Sequence, residues 1–442
     1  MRKALASALL LAAPLLAGRW HPLASVRERL QINDGLNKKA YGNESIDAKG
    51  RKVGESDDRM LMQRIMAGGL YETPDIDYEL LLYDARVWGS SIPRSAFVKN
   101  AHTSEAYTMD PYREYLELFD ASVTFKRLFA KNLSLKIGRQ DISMGDHRIV
   151  GPGTWGNAVG HLWDAARFIY RDGKNRLDLW YGQTRVKDPD RFSLLQRHLF
   201  EGVVAYGHIA SIGKGALEPF ALYKHTLRPK VKGARKLYAY LGYAGIRWYA
   251  KDFHAFNWDV TYAREFGSDG GKDVRAYGYV LKAGYRFKRW PLQPNLVVGR
   301  LYASGDDDPG DGTMKTFMTP FGSTDGGHYG RMDIMKWANL EDNQIDLHLK
   351  FTPKLRMKLS YHDFRLAQSQ DSWRYYGYRN RLGRHDTHLG GETDGQLFYD
   401  PSTRWRVTAI VAHFDAGSFV RHNVADNDAN RLFFQIQYRF KG

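Results

Sequence analysis

Basic side chains at alternate positions of short apolar segments are the residues of this chain best placed to do chemistry. Lys136 sits between Leu135 and Ile137, Lys358 between Met357 and Leu359, and Arg439 between Tyr438 and Phe440. On an extended strand successive side chains point to opposite faces, so each of these cations shares a face with polar residues and turns away from its apolar neighbours. A Lys or Arg held against mid-bilayer lipid costs roughly 2–4 kcal/mol, so the charged face is the one that meets water. The same rule puts Lys282, Arg286, Lys350, Arg356, Arg404 and Arg406 on the water face, and Arg167 joins them as a candidate. Guanidinium forks take carboxylates in two parallel hydrogen bonds, and weak sites spread along a path let an anion move without being trapped. Arg139 and Arg148 are the candidates for a constriction. Arg139 has the parity of Leu135 and Ile137, so it needs a bulge near Gly138 to turn inward, or it lies above the bilayer. A bracing role stands beside this, in which both arginines pair with Asp141, Asp164 or Asp178; the two roles are compatible, since paired charges across a pore set a transverse field.

Other chemistries find less support. There is no cysteine, no His-Glu-x-x-His pair and no G-x-S-x-G elbow, so neither a common zinc set nor a nucleophile elbow is present. Gly151-Pro152-Gly153-Thr154-Trp155-Gly156 fits G-x-G-x-x-G, yet it follows no buried strand of a βαβ unit and opens no helix. The acidic run Asp306–Asp311 lacks EF-hand spacing and reads as a solvated loop. No metal, cofactor or catalytic residue is expected, nor is nucleic acid as a partner.

The elements that must position the cations are strands. In residues 431–440, Phe434, Ile436, Tyr438 and Phe440 share one face and Gln435, Gln437 and Arg439 the other. Similar patterns occur at 30–40, 59–70, 76–86, 115–125, 133–140, 165–171, 175–187, 199–209, 215–224, 235–250, 253–266, 273–287, 293–304, 343–352, 355–368, 387–399 and 403–416. With 430–440 these make about eighteen, an even number, as an antiparallel single-chain barrel requires. Barrels of about 16 to 18 strands leave an aqueous channel. Tight turns at 172–174, 211–214, 352–354 and 400–402 would face the periplasm, and long connections at 87–114, 141–164, 188–198, 227–234, 305–342 and 369–386 would face outward, some folding into the lumen. Composition agrees: 14% aromatics and 43 glycines in 442 residues. A mean hydropathy of −0.52 excludes a bundle of membrane helices, whereas a barrel shows lipid only every second residue. Tyrosines and tryptophans such as Trp180, Tyr249, Trp258, Tyr285, Trp405 and Tyr438 read as interface girdles, with some free to stack on sugar rings inside the pore.

Arg2 and Lys3 precede an apolar run over 4–17, the pattern of a secretory signal, with cleavage expected between 17 and 24. Residues 1–24 are thus read as a leader and 25–442 as one outer-membrane barrel. Arg19 occupies the place of a lipoprotein cysteine, which excludes that anchor. The formal net charge of +16 suits anionic partners, both lipopolysaccharide and acidic solutes or polymers.

Specific motifs resemble one family. Leu135-Lys136-Ile137-Gly138-Arg139-Gln140, Met144-Gly145-Asp146-His147-Arg148-Ile149-Val150-Gly151, Trp155-Gly156-Asn157 and Trp163-Asp164 look like the alginate export family of outer-membrane barrels. Tyr302-Ala303-Ser304-Gly305-Asp306 onward to Gly312, with His328-Tyr329-Gly330, Met332-Asp333 and Trp337-Ala338-Asn339-Leu340, resembles the family's long loop and the strand after it. The resemblance implies an 18-stranded monomeric barrel with a charged constriction that passes an anionic polysaccharide. Where the family tends to have Arg-x-Phe-Asp-Gly, this chain has His161-Leu162-Trp163-Asp164-Ala165, an imidazole in place of a guanidinium.

Two functions follow as expectations: passive export of a uronic-acid polymer such as alginate, met by a periplasmic delivery component, or diffusion of small anionic or organic solutes. An outer-membrane enzyme is a third class, disfavoured by the missing motifs.

Overall fold

The computed structural model describes residues 18–43, 45–46, 52–54, 56–99, 107–194, 197–212, 214–227, 230–232, 235–322 and 327–441. The leader expected over 1–24 lies mostly outside these residues, as do Gly213 and parts of the 227–234 connection.

Eighteen antiparallel strands close into one barrel. In chain order they are β1 (Arg19–Asp34), β2 (Asp58–Glu72), β3 (Ile76–Trp88), β4 (Glu114–Phe125), β5 (Leu133–Asp141), β6 (Leu162–Asp172), β7 (Asn175–Arg185), β8 (His198–Ile212), β9 (Gly215–Thr226), β10 (Ala239–Phe253), β11 (Phe256–Asp269), β12 (Lys272–Arg286), β13 (Asn295–Ala303), β14 (Leu340–Lys350), β15 (Leu355–Arg365), β16 (His388–Tyr399), β17 (Trp405–Ala416) and β18 (Ala429–Lys441). Each pairs with its neighbours in sequence, and β1 returns to β18 from Leu23↔Lys441 to Asp34↔Asn430, so no edge is left open.

Alternation explains the wall. On β18, Phe434 and Ile436 are 42% and 38% exposed while Gln435 between them is 4% exposed. The lipid side carries the apolar set and the lumen carries polar groups. The first strand departs from expectation: it spans Arg19–Asp34 and not 30–40. Its lipid-facing parity includes Glu28 between Val26 and Leu30, which blurs the alternation; Gln63 of β2 donates to the Glu28 carboxylate at 2.6 Å. The expected strand over 235–250 divides into a short hairpin arm, Arg235–Leu237, and β10.

All the short connections but one lie at one end. At the other end lie the long ones, including 35–57 and 417–428, which the alternation had not marked, and a single tight exception at 270–271. Loop 417–428 holds the one-and-a-half-turn helix α1 (Ser418–Asn423).

The lumen is extensively filled. Loops 142–161 and 304–339 fold inward and pair with each other, Gly151 N–H donating to Phe321 O and Phe321 N–H to Ile149 O. Gly322 permits that approach, because a Cβ there would meet the Arg148 carbonyl. Aromatic rings pack the seam, with Trp163 and Phe321 centroids 4.5 Å apart and Phe317 and Trp337 5.0 Å apart. Wall carboxylates hold loop 304–339 by its backbone: Met318 N–H donates to Glu265, Met332 N–H to Glu392 and Arg331 N–H to Asp394, at 2.7, 2.7 and 3.1 Å.

Candidate constriction in the lumen

Most of the cations singled out in the sequence are matched to carboxylates. Lys136 meets Glu79 and Asp120 at 3.0 and 2.9 Å. Arg167 meets Asp178 at 2.8 Å, with Trp180 beside it. Lys358 meets Asp346 at 2.9 Å. Arg356 and Arg406 share Asp400, each at 2.6 Å, at the short-turn end. Arg439 donates to Gln437 at 3.0 Å nearby, and Lys350 ends β14 exposed at the same end of the barrel. Each of these residues has the inward parity assigned to it.

Arg139 is fully buried. It grips Asp164 with two bonds, Nε to Oδ1 at 2.7 Å and Nη2 to Oδ2 at 2.8 Å. Its Nη1 reaches Glu117 Oε1 at 3.1 Å and the Ser193 carbonyl at 2.7 Å. No register shift occurs at Gly138 in either ladder, although its φ is +121°. The irregularity falls on β4 instead, where Phe119 is an extra residue between Asp120 and Leu118 and the β4–β5 ladder ends at Ala121↔Arg139. The guanidinium fills the place where those two strands part. Arg148, in loop 142–161, meets Asp146 at 2.9 Å and is likewise buried. The structure therefore keeps Arg139 and Arg148 apart, each in its own charge network.

A different set of cations gathers around a cavity of about 250 Å³ between loops 142–161 and 304–339 and the β18–β1–β2 wall. Arg29, Lys38, Lys187, Arg331 and Arg431 line it, with Trp155, Phe433, Tyr112 and His161; Asp333 is the acidic member. Carbonyl and amide oxygens hold Arg29 and Arg431 of this set, and Arg27 and Arg64 on the adjoining wall. Arg27 Nη2 donates to Gly156 O at 2.8 Å and to Asn157 Oδ1 at 3.1 Å. Arg64 Nη1 donates to Thr154 O at 2.9 Å. Arg29 donates to Trp155 O at 2.6 Å and to Gln435 Oε1 at 2.9 Å, and Arg431 to Asn33 Oδ1 at 2.9 Å. Such partners fix the place and orientation of a guanidinium. Trp155 stacks on Phe433, centroids 5.1 Å apart at 14°, with Arg29 and Arg331 at 4.8 and 4.9 Å from its ring.

The Gly151–Gly156 stretch is thus explained. Its carbonyls face guanidinium groups, the reverse of a phosphate loop, whose N–H groups face the ligand. Asn157 pins the loop by donating to Gln63 O, Arg86 O and Tyr112 O at 3.2, 2.8 and 2.8 Å. His161 packs near Phe200 and Phe321, and burial pushes its pKa down to about 3, with Lys224 and Lys187 adding to the fall. It therefore adds bulk without charge where the family pattern has arginine. In the acidic 306–311 run, Asp308 and Asp311 accept the N–H groups of Gly310 and Thr313.

Alternation alone does not mark Arg27, Arg29, Lys38, Lys187 or Arg331. Three of them lie on loops, and the other two lie on β1, the strand whose pattern is blurred. The even spacing of Arg27 and Arg29 was the one available signal.

A closed, polar-lined barrel of this strand number with inward loops defines an outer-membrane channel. A family model for alginate export matches residues 45–435, and the chain belongs to that family. No curated protein matches it by sequence. Solved structures share the fold: Acinetobacter baumannii OccAB1 at TM-score 0.61 and 10% identity, covering 95% of this chain and 97% of that one. Pseudomonas aeruginosa OpdK with vanillate aligns at 0.58 and 11% identity over 96% and 99%, and P. aeruginosa OccK2 (OpdF) in complex with glucuronate at 0.57 and 11% over 95% and 98%.

Proposed function

We propose that the protein is an anion-selective channel whose constriction passes small ring-bearing carboxylates, uronates among them, one at a time. The observation that carries this is the lining of the 250 Å³ cavity, where Arg29, Lys38, Lys187, Arg331 and Arg431 face a single carboxylate, Asp333, whereas most of the cations singled out along the wall are matched to carboxylates. An excess of cations lining a cavity inside a closed barrel concentrates the positive field there. At about 250 Å³ the cavity is near the lower end of the range of small-molecule sites, the scale of a small ligand. Two barrels of the same fold hold vanillate and glucuronate, which supports the ligand class.

The second reading, passage of a uronic-acid polymer, is supported by the family match. It requires loops 142–161 and 304–339 to swing aside, against the hydrogen bonds that Asn157, Glu265, Glu392 and Asp394 make to hold them.

The test is the zero-current potential of the purified protein in a planar bilayer under a KCl gradient, followed by titration with glucuronate and with oligouronates. Anion selectivity with block by the monomer is expected. A potential of zero or of cation-selective sign would sink the proposal, and block by oligouronates alone would favour the polymer reading.

A further inference from the structure

Lys187 lies two residues beyond β7 and is 8% exposed. Its amine has no hydrogen-bond or ion-pair partner among the described residues, and its side chain lines the cavity. Among the described residues, the acids nearest it are already matched. Glu114 meets Arg185 at 3.2 Å, Asp110 meets Arg113 at 2.8 Å, and Asp333 meets Lys38 at 3.3 Å. An ammonium on a mostly buried side chain is costly to keep without a counter-charge, and no described residue supplies one. The cavity beside it is open to a ligand and is flanked by neutral His161 and by Tyr112. Resting on the anion-channel reading above, we propose that Lys187 is the seat of the ligand's carboxylate, a specific binding station for one monocarboxylate on a small ring, and not merely part of the positive lining.

The environment supports an amine waiting for an anion. Burial pushes Lys187 down to about 8; Arg185 and Lys38 add to the fall, and Glu114 and Asp110 oppose it. The other charged groups facing the cavity are Arg29, Arg331, Arg431 and Asp333, and burial keeps His161 neutral. Below pH 8 the amine is charged and the station is on. As the pH rises through 8 the amine loses its proton and the carboxylate loses its partner.

The experiment reads block of single-channel current by sodium glucuronate and, separately, sodium benzoate. It uses the full-length protein in planar bilayers at pH 6.5 and 9.5, as wild type, Lys187→Met and Lys187→Arg. Heat-modifiable gel mobility reports that each variant has folded. In the wild type, block is expected to weaken about tenfold between pH 6.5 and 9.5 for at least one probe. Lys187→Met should lose about tenfold in affinity at pH 6.5 and become insensitive to pH, whereas Lys187→Arg should keep the affinity and carry it to pH 9.5. Wild-type affinity in Lys187→Met, equal wild-type block at both pH values, or no block by either probe overturns the proposal. Absence of anion selectivity in the wild type under a KCl gradient is a separate result and overturns the channel reading itself.

Discussion

At the residue scale the distinction that matters is what each cation is bonded to. Replacing Arg139 by Gln removes the partner of Asp164 and Glu117 in a site where Arg139 and Glu117 are 0% and 1% exposed. Asp164 keeps His198 at 2.8 Å and Glu117 keeps Arg185 at 3.8 Å, but neither replaces the two-bonded fork. Removing one partner of a buried pair costs about 3–5 kcal/mol, so Arg139→Gln should unfold at distinctly lower temperature in heat-modifiability gels. Arg431→Gln is expected to behave oppositely. Arg431 donates to Asn33 Oδ1 and to the Arg331 carbonyl, so its loss should leave the unfolding temperature nearly unchanged. The anion-to-cation permeability ratio in a bilayer should then drop about fivefold or more, since one unit charge about 4 Å away is worth about 1 kcal/mol even at the dielectric of water. The bracing partner of Arg139 was legible, since Asp164 stood among the candidates. The lining cations were not, because strand parity says which way a side chain points and nothing about which loop crosses the lumen to meet it.

At the element scale, strand positions were legible from alternation and loop folding was not. The polar and apolar faces of β18 are where a period of two puts them. Loop 142–161 has no period. Its inward course is set by carbonyls meeting Arg27, Arg29 and Arg64 and by one asparagine with three backbone acceptors. Asn157→Ala removes the amide whose two N–H protons serve those three carbonyls, at about 0.5–1.5 kcal/mol per bond lost, and frees their acceptors. The barrel should fold, while single-channel recordings should show larger and noisier conductance. A steady current of wild-type size would mean that the three arginines suffice to hold the loop.

At the scale of the whole molecule, the first strand bears on where the leader is removed. Gly18 N–H donates to Tyr71 Oη at 3.1 Å, and the β1–β2 ladder begins at Arg19↔Glu72. Cleavage after Ala24 would strip paired residues Arg19 to Ala24 from the wall, so we propose cleavage at the early end of the 17–24 window. The intact mass of the mature protein is expected to match a chain starting at Gly18 or Arg19, and a start beyond Leu23 would contradict it.

The seam between β1 and β18 also sets an order of assembly. The two strands are nearest neighbours in space and the first and last of the wall in sequence, so the ring shuts only after every other strand is in place. Closing so long a loop is the slow kind of contact to make. The cavity has Arg29 of β1 on one side of that seam and Arg431 and Phe433 of β18 on the other, so it does not exist until the two strands meet. The binding place is therefore completed by the last step of closure, and a chain whose seam fails to zip has none.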